Sequence, residues 1–289
     1  MSAELDLARL ERRVVAMGGL GKWLATVDQL RKLLAMGEPD IAQLVLSLSS
    51  PEVEAQALAA TFDAFAAGAA DAASIVEQQD GIDDVSRKGR PSKAAQKITK
   101  GLDRGGRSAM SKAKKLAKTG ADAATILAPI FAHATRVRRS VSDAITLAGN
   151  EGTATVADRV GQPTVWVAET TACVQCLAYS GRVAKPGEEF PGGLTFGPPR
   201  AGAPLKYPPL HPHCRCTIEP LNDASYAAAL RREAERSILR GFSLESESMA
   251  TRIDAARRLV EGGVDAPKSV IAYARRAIAA GEFPTRARP

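Results

Sequence analysis

Aromatic residues make up only 4% of the 289 positions, and the chain holds just four cysteines and three histidines. So few rings argue against a surface that stacks on single-stranded bases. Together with abundant alanine, they favour close-packed helices over a large sheet. No stretch approaches about 18 uninterrupted apolar residues, so no membrane span is expected and the chain is expected to be soluble. The N-terminal residues carry no apolar leader, so an oxidising compartment is not indicated and disulfides are disfavoured. Neither a G-x-S-x-G elbow nor a P-loop is present, and no histidine has a serine and an acid at triad-like local spacing. Neither an enzyme nor a small-molecule substrate is expected.

What is present is concentrated. All four cysteines and two of the three histidines fall in two tight clusters. Cys173 and Cys176 form a C-x-x-C pair, and after 34 intervening residues comes the run His211-Pro212-His213-Cys214-Arg215-Cys216. Thiolate and imidazole are the ligands Zn²⁺ prefers, and tetrahedral sites are built from two close pairs joined by a loop. A catalytic thiol with its histidine would not explain two paired clusters. Cys173 and Cys176 are expected to supply two ligands of a structural zinc. His211, Cys214 and Cys216 compete for the other two: His211-x-x-Cys214 has ligand spacing, and Cys214-x-Cys216 would present both sulfurs on one face of a strand. The favoured set is Cys173, Cys176, His211 and Cys214, with Cys216 the first substitute and His213 facing solvent or standing behind the ligands. No carboxylate lies inside either cluster to serve as a general base, which favours a closed site over a catalytic one.

Cys173-x-x-Cys176, Tyr179-Ser180-Gly181 and Pro208-Pro-Leu-His-Pro-His-Cys-Arg-Cys216 together resemble the signature of the phage Mu F-like minor head protein family, in which a C-x-x-C is joined to a terminal H-P-x-C-R-C. The likeness covers roughly residues 165 to 220. It implies a head morphogenesis protein of a tailed phage, located in the virion interior and in the host cytoplasm during assembly. It also implies portal protein and other head proteins as partners, and in some members company with the DNA. Outside this resemblance, the residues also admit a zinc-knuckle nucleic-acid-binding protein acting outside a virion, or a zinc hydrolase.

Charge is the second uneven feature. The chain carries a net +7, but residues 81–140 alone hold 15 Lys or Arg against four Asp. Arg87, Lys88, Arg90, Lys93, Lys97, Lys100, Arg104, Arg107, Lys112, Lys114, Lys115 and Lys118 are accompanied by a single acid, Asp103. Bulky apolar residues are nearly absent there and Gly105-Gly106 interrupt the run, so an exposed, partly mobile arm is expected. Its partner would be the phosphates of DNA, bound without sequence preference and in a salt-sensitive way, or an acidic protein surface. Gly89-Arg90-Pro91 resembles, in one copy, the minor-groove hook of some chromatin proteins.

The rest reads as helices. Leu7, Leu10, Val14 and Met17 form one stripe, ended by Gly18-Gly19. Trp23, Val27, Leu30 and Leu34 form another, stopped by Gly37 and Pro39. A third helix is expected to be capped by Ser50, with Pro51 at its first position and a stripe of Leu58, Phe62, Phe65, Ala69, Ala72 and Ile75. A long helix over Ala123–Leu147 is kinked by Pro129 or starts there, has His133 at its edge, and stops at Gly149-Asn150-Glu151-Gly152. Pro163–Ala168 alternates like a strand, Arg215–Glu219 should pair with it or with Gly181–Val183, and the Gly- and Pro-rich loop Lys185–Pro209 lies between. Asp223 caps the first of three C-terminal helices that dock on the zinc module or on a partner. The expected fold class is α+β, predominantly helical: a helical region over 1–80, a basic arm over 81–121, a zinc module over 122–220 and a helical tail over 221–289.

Overall fold

The computed structural model describes residues 19–37, 41–80, 85–169, 172, 174–190, 205–211, 214–239, 249–261 and 268–282. The expected first stripe, Leu7 to Met17, lies outside these residues, as do Cys173 and His213. The described chain is predominantly helical with one small antiparallel sheet. Its helices are α1 (Gly19–Ala35), α2 (Ile41–Ser47), α3 (Glu54–Asp80), α4 (Lys93–Ile98), α5 (Leu102–Lys118) and α6 (Ala123–Val160). Strand β1 (Thr164–Val167), helix α7 (Val174–Tyr179) and strands β2 (Val183–Ala184) and β3 (Thr217–Pro220) follow, then α8 (Ala224–Leu239), α9 (Met249–Glu261) and α10 (Lys268–Ala280).

Two compact units divide the chain differently from the linear segments expected above. Among the described residues, one is made of Phe65–Arg90 and those from Thr146 onward; the other of those from Gly19 to Ala64 and of Pro91–Ile145. Helices α3 and α6 each begin in the second unit and end in the first.

In the second unit the basic stretch is not an arm. It forms α4 and α5, and α5 packs against α2. The expectation failed because it counted only bulky apolar residues. The buried side of α5 is Leu102, Gly106, Met110 and Ala113, a stripe in which small residues let backbones approach. Gly105 and Gly106 are not interruptions. A Cβ on Gly106 would stand 2.4 Å from Pro51 Cγ, and one on Gly105 would stand 3.3 Å from the ring of His133. Asp103 explains its own isolation among lysines: its Oδ1 accepts from the N–H of Val53 (2.6 Å) and of Glu54 (2.9 Å), capping α3. Glu54 reciprocates, its Oε2 accepting from Gly101 N at the start of α5 (2.8 Å). Helix α3 therefore starts at Glu54 with its cap borrowed from α5, not at Pro51 under Ser50. His133 is buried at the same place, its ring 6.2 Å from that of Trp23.

Along α3 the buried row is Ala57, Ala60, Ala64, Phe65, Ala69, Ala72, Ala73 and Val76, whereas Phe62 is 41% exposed. The expected stripe thus sat partly off the true face, because alanine was given too little weight. Over Glu54–Gln78 this helix is long and apolar enough to cross a membrane by composition, and half of that stretch is buried inside the protein.

In the first unit, Gly149 and Gly152 do not stop α6. They mark where it crosses α3. A Cβ on Gly68 would fall 2.0 Å from the carbonyl oxygen of Gly149, and one on Gly152 would fall 2.2 Å from that of Phe65. Thr153 Oγ1 donates across the same seam to Gly68 O (3.3 Å). Glycine here serves close approach within a helix, the opposite of its role as a terminator.

The sheet order is β2-β1-β3, all antiparallel. Thr164 pairs with Pro220 and Val167 with Thr217, so β3 lies beside the strand that precedes the first cysteine cluster. Alternation along β1 sends Val165 toward Leu221 and Ala227, and Trp166 into the larger core. That core also contains Ala234, Ile253, Ala256, Leu259, Val270, Tyr273, Ala274 and Ala277 from α8, α9 and α10. The C-terminal helices therefore dock on the sheet module.

Candidate metal centre

Two short elements and one ladder bring the clusters together. Cys176 sits in α7, one connection after β1. Cys214 and Cys216 lie on the run into β3, which pairs with β1. The β1–β3 ladder fixes the two ends of the long connection, and the bridge between Phe190 and Leu205 closes it further in. On the other side of α7, Gly181 adopts φ +73°, and a Cβ there would stand 2.3 Å from Ala227 O. The Tyr179-Ser180-Gly181 segment is thereby pressed onto α8, with Ser180 Oγ donating to Leu230 O (3.2 Å) and Arg231 Nε to Gly181 O (3.3 Å).

Cys176, His211 and Cys214 converge, with all their donor atoms within 4.8 Å of one another, and all three are buried. Cys176 Sγ is 3.1 Å from His211 Nε2 and 3.7 Å from Cys214 Sγ. Two thiolates on a tetrahedral zinc, with Zn–S bonds of about 2.3 Å, stand about 3.8 Å apart, so the sulfur pair already has ligand spacing. A sulfur and an imidazole nitrogen on the same ion would stand about 3.6 Å apart, so the ring would open slightly on binding. Cys216 Sγ is in hydrogen-bond contact with both Cys176 and Cys214, although it does not join the mutual set of three. No disulfide links Cys176, Cys214 and Cys216. Of the five expected ligands, the structure groups Cys176, His211 and Cys214, places Cys216 beside them, and leaves Cys173 outside the described residues.

Electrostatics favour one thiolate in this group. Burial by itself pushes the Cys214 thiol up, but contacts from Cys176 and Cys216 and the charge of His211 outweigh it and hold Cys214 well below the usual thiol range. For Cys216, contact with Cys176 pulls down, while contact with Cys214, burial and the Cys214 charge push up, and the result lies well above that range. A buried thiolate facing an imidazole is the form a metal ion takes up. The cluster could therefore hold a metal ion.

The ligands are held from behind by residues that no motif announces. Asn150, 2% exposed in the middle of α6, donates from Nδ2 to Cys216 O (3.2 Å) and Thr146 O (2.8 Å), and its Oδ1 accepts from Ile218 N (2.7 Å). An asparagine inside a helix is a weak signal of such a clamp, since its amide competes with backbone groups and seldom serves helix stability. Cys214 N donates to His211 O (3.0 Å), a turn that sets the pair. Arg215 reaches Glu169 Oε2 at 3.4 Å, joining the second cluster to the segment after β1. Trp166 lies tilted against Tyr179 at 4.8 Å and meets Phe190 edge-on at 5.3 Å, in the same core as Cys176, Cys214 and Cys216. In that setting burial raises the Tyr179 hydroxyl to about 12.

Arg87, Lys88, Arg90, Lys93, Lys97, Lys100, Arg104, Arg107, Lys112, Lys115 and Lys118 are exposed and Lys114 is half-buried. Gly89 packs on the ring of Phe65, where a Cβ would approach to 2.5 Å, so its glycine is accounted for without a minor-groove hook. Compared with models of protein families, with curated proteins and with solved structures, the chain finds no match in any of the three.

Proposed function

We propose that this chain is a minor head protein of a tailed phage, a structural and assembly component rather than an enzyme, whose sheet module is held by a structural zinc ion. The observation that carries the reading is the convergence of Cys176, His211 and Cys214 in a buried core. One comes from the first half of the signature and two from the second, the halves that the resemblance joins. Cys176, His211 and Cys214 would hold the ion, with Cys173 or Cys216 completing four ligands. Zinc there would supply folding free energy, on the order of 10–16 kcal/mol in small zinc-finger peptides. Cys176, His211 and Cys214 bring no carboxylate among them to take a proton from water, which supports a closed site.

Elemental mass spectrometry on purified protein, with Cys173→Ser, Cys176→Ser and Cys216→Ser alongside, tests the metal. One zinc per chain, lost in Cys176→Ser, is expected, and the other two variants identify the fourth ligand. Sedimentation with portal complexes or empty heads tests the assembly role: the protein should travel with them. Protein that stays at the top of the gradient while binding nucleic acid would support the second reading, a nucleic-acid-binding protein outside a virion. The exposed basic side of α5 favours that reading equally.

A further inference from the structure

A dense run of charge lies on the folded surface of α5. Arg104, Arg107, Lys112, Lys115 and Lys118 are exposed, while Leu102, Gly106, Met110 and Ala113 are buried. At about 100° per residue the two sets occupy opposite sides of the helix. An open groove of about 490 Å³ follows the charged side, lined by Ser50, Arg107, Ser111, Lys114, Lys115 and Lys118, with Met110 between them. None of these residues is acidic. Among the described residues no ion pair engages Arg107, Lys114, Lys115 or Lys118. Asp103, the one acid of the helix, is turned to the caps at Val53 and Glu54. Arg87 differs: both carboxylate oxygens of Glu77 hold it, at 2.9 and 3.1 Å.

We propose that this groove receives the phosphodiester backbone of duplex DNA, and that α5, not the residues around Arg87, is where the chain contacts nucleic acid. The inference rests on the DNA contact expected from the basic run in the sequence and locates it. Arg107, Ser111, Lys114 and Lys118 recur at four-, three- and four-residue steps and so share one stripe, spanning about 16 Å of helix. A stripe of that length is long enough to meet several successive phosphates of one strand. Two serine hydroxyls add neutral donors of the kind that position a backbone without reading bases. The lining has no aromatic ring, so base stacking has no platform. A formed helix presents its cations already ordered, and binding does not have to order an arm.

The test is fluorescence anisotropy of the full-length protein with two 20-base-pair duplexes of unrelated sequence, from 50 to 200 mM salt. Four cations on phosphates give a slope of about 3.6 in log K against log salt, a loss of roughly 150-fold over that range. The triple variant Lys114→Gln, Lys115→Gln, Lys118→Gln should flatten the slope by about 2.7, leaving a loss of about 3- to 4-fold. Arg107→Gln alone should flatten it by about 0.9, and so guards against a folding artefact in the triple variant. Arg87→Gln with Lys88→Gln should leave the slope unchanged, and both duplexes should bind alike. Binding that keeps its slope in the triple variant would overturn the groove while leaving DNA contact in place elsewhere. A wild-type protein that binds neither duplex at 50 mM salt would remove both.

Discussion

Around the thiols the interior is filled with large, irregular side chains: Trp166, Tyr179 and Phe190 are each fully buried beside Cys176, Cys214 and Cys216. In the unit that carries α5 the filling is aliphatic, with Leu20, Leu30, Ile41, Leu102, Ile126, Leu127, Ile130 and Ile145 fully buried, and small residues stand where helices meet. Ala57, Ala60, Ala64, Ala95 and Ala113 are buried, and Pro51 and His133 rest directly on Gly105 and Gly106. The two interiors need different organisers. Large rings surround a three-stranded sheet with a two-residue edge strand, and the donors of Cys176, His211 and Cys214 converge beside them. In the α5 unit aliphatic side chains fill the space between helices, and helix ends are satisfied mutually, as Asp103 and Glu54 do for one another. One unit gathers metal-ligating side chains at a point; the other gathers aliphatic side chains between helices.

That contrast is sharpest in its largest expected effect. Cys176→Ser, or a strong chelator, should abolish the unfolding transition of the thiol unit and its near-ultraviolet signal from Trp166, while the α5 unit keeps its helical circular dichroism. A single shared transition that vanishes as a whole would erase the distinction. Next in size is Gly68→Ala, which forces a methyl group to within 2.0 Å of the Gly149 carbonyl oxygen. The backbone cannot yield as a side chain tip would, so a loss of about 3 kcal/mol in denaturant unfolding is expected. Asp103→Ala should cost about 2 kcal/mol, since it leaves the Val53 and Glu54 N–H groups without their charged acceptor and acts only on the α5 unit. Selective loss in the thiol unit would contradict the assignment.

The smallest effect is a pH dependence. Burial, then the charge of Arg136, depresses His133 below its ordinary 6.5, against a weaker pull from Asp103. With the folded value depressed, the unfolded chain takes up the proton first. The stability held above pH 6.5 therefore declines as pH falls from there toward the folded value. Thermal melts of the α5 unit at pH 7.5 and 5.5 should differ in that direction, and His133→Phe should flatten the difference.

Legibility in sequence followed the same divide. The thiol–imidazole cluster was readable because metal ligation needs particular atoms: cysteine and histidine spacing announced Cys176, His211 and Cys214, and β-branched alternation announced β1 and its partner β3. The three C-terminal helices were readable from their stripes and flanking caps. The packing of α5 was not, because alanine and glycine carry no strong hydropathy signal and their burial depends on what lies opposite. Gly105-Gly106 and Gly149–Gly152 look the same in sequence whether they break a helix or let two helices meet. Asn150 was invisible for a different reason: its partners, Cys216 O and Ile218 N, are backbone groups that leave no pattern.

The Gly68–Gly149 crossing also sets an order of events in the making of the chain. Gly68 leaves the ribosome about 80 residues before Gly149, an interval of roughly 4–16 s at ordinary rates of translation. For that time the later half of α3 has no partner for its glycine face. A face of alanine and glycine is suited to the wait, for it offers a passing chaperone or a neighbouring nascent chain little apolar surface to hold. Once α6 emerges, the two backbones can close to a distance that no bulkier face would permit.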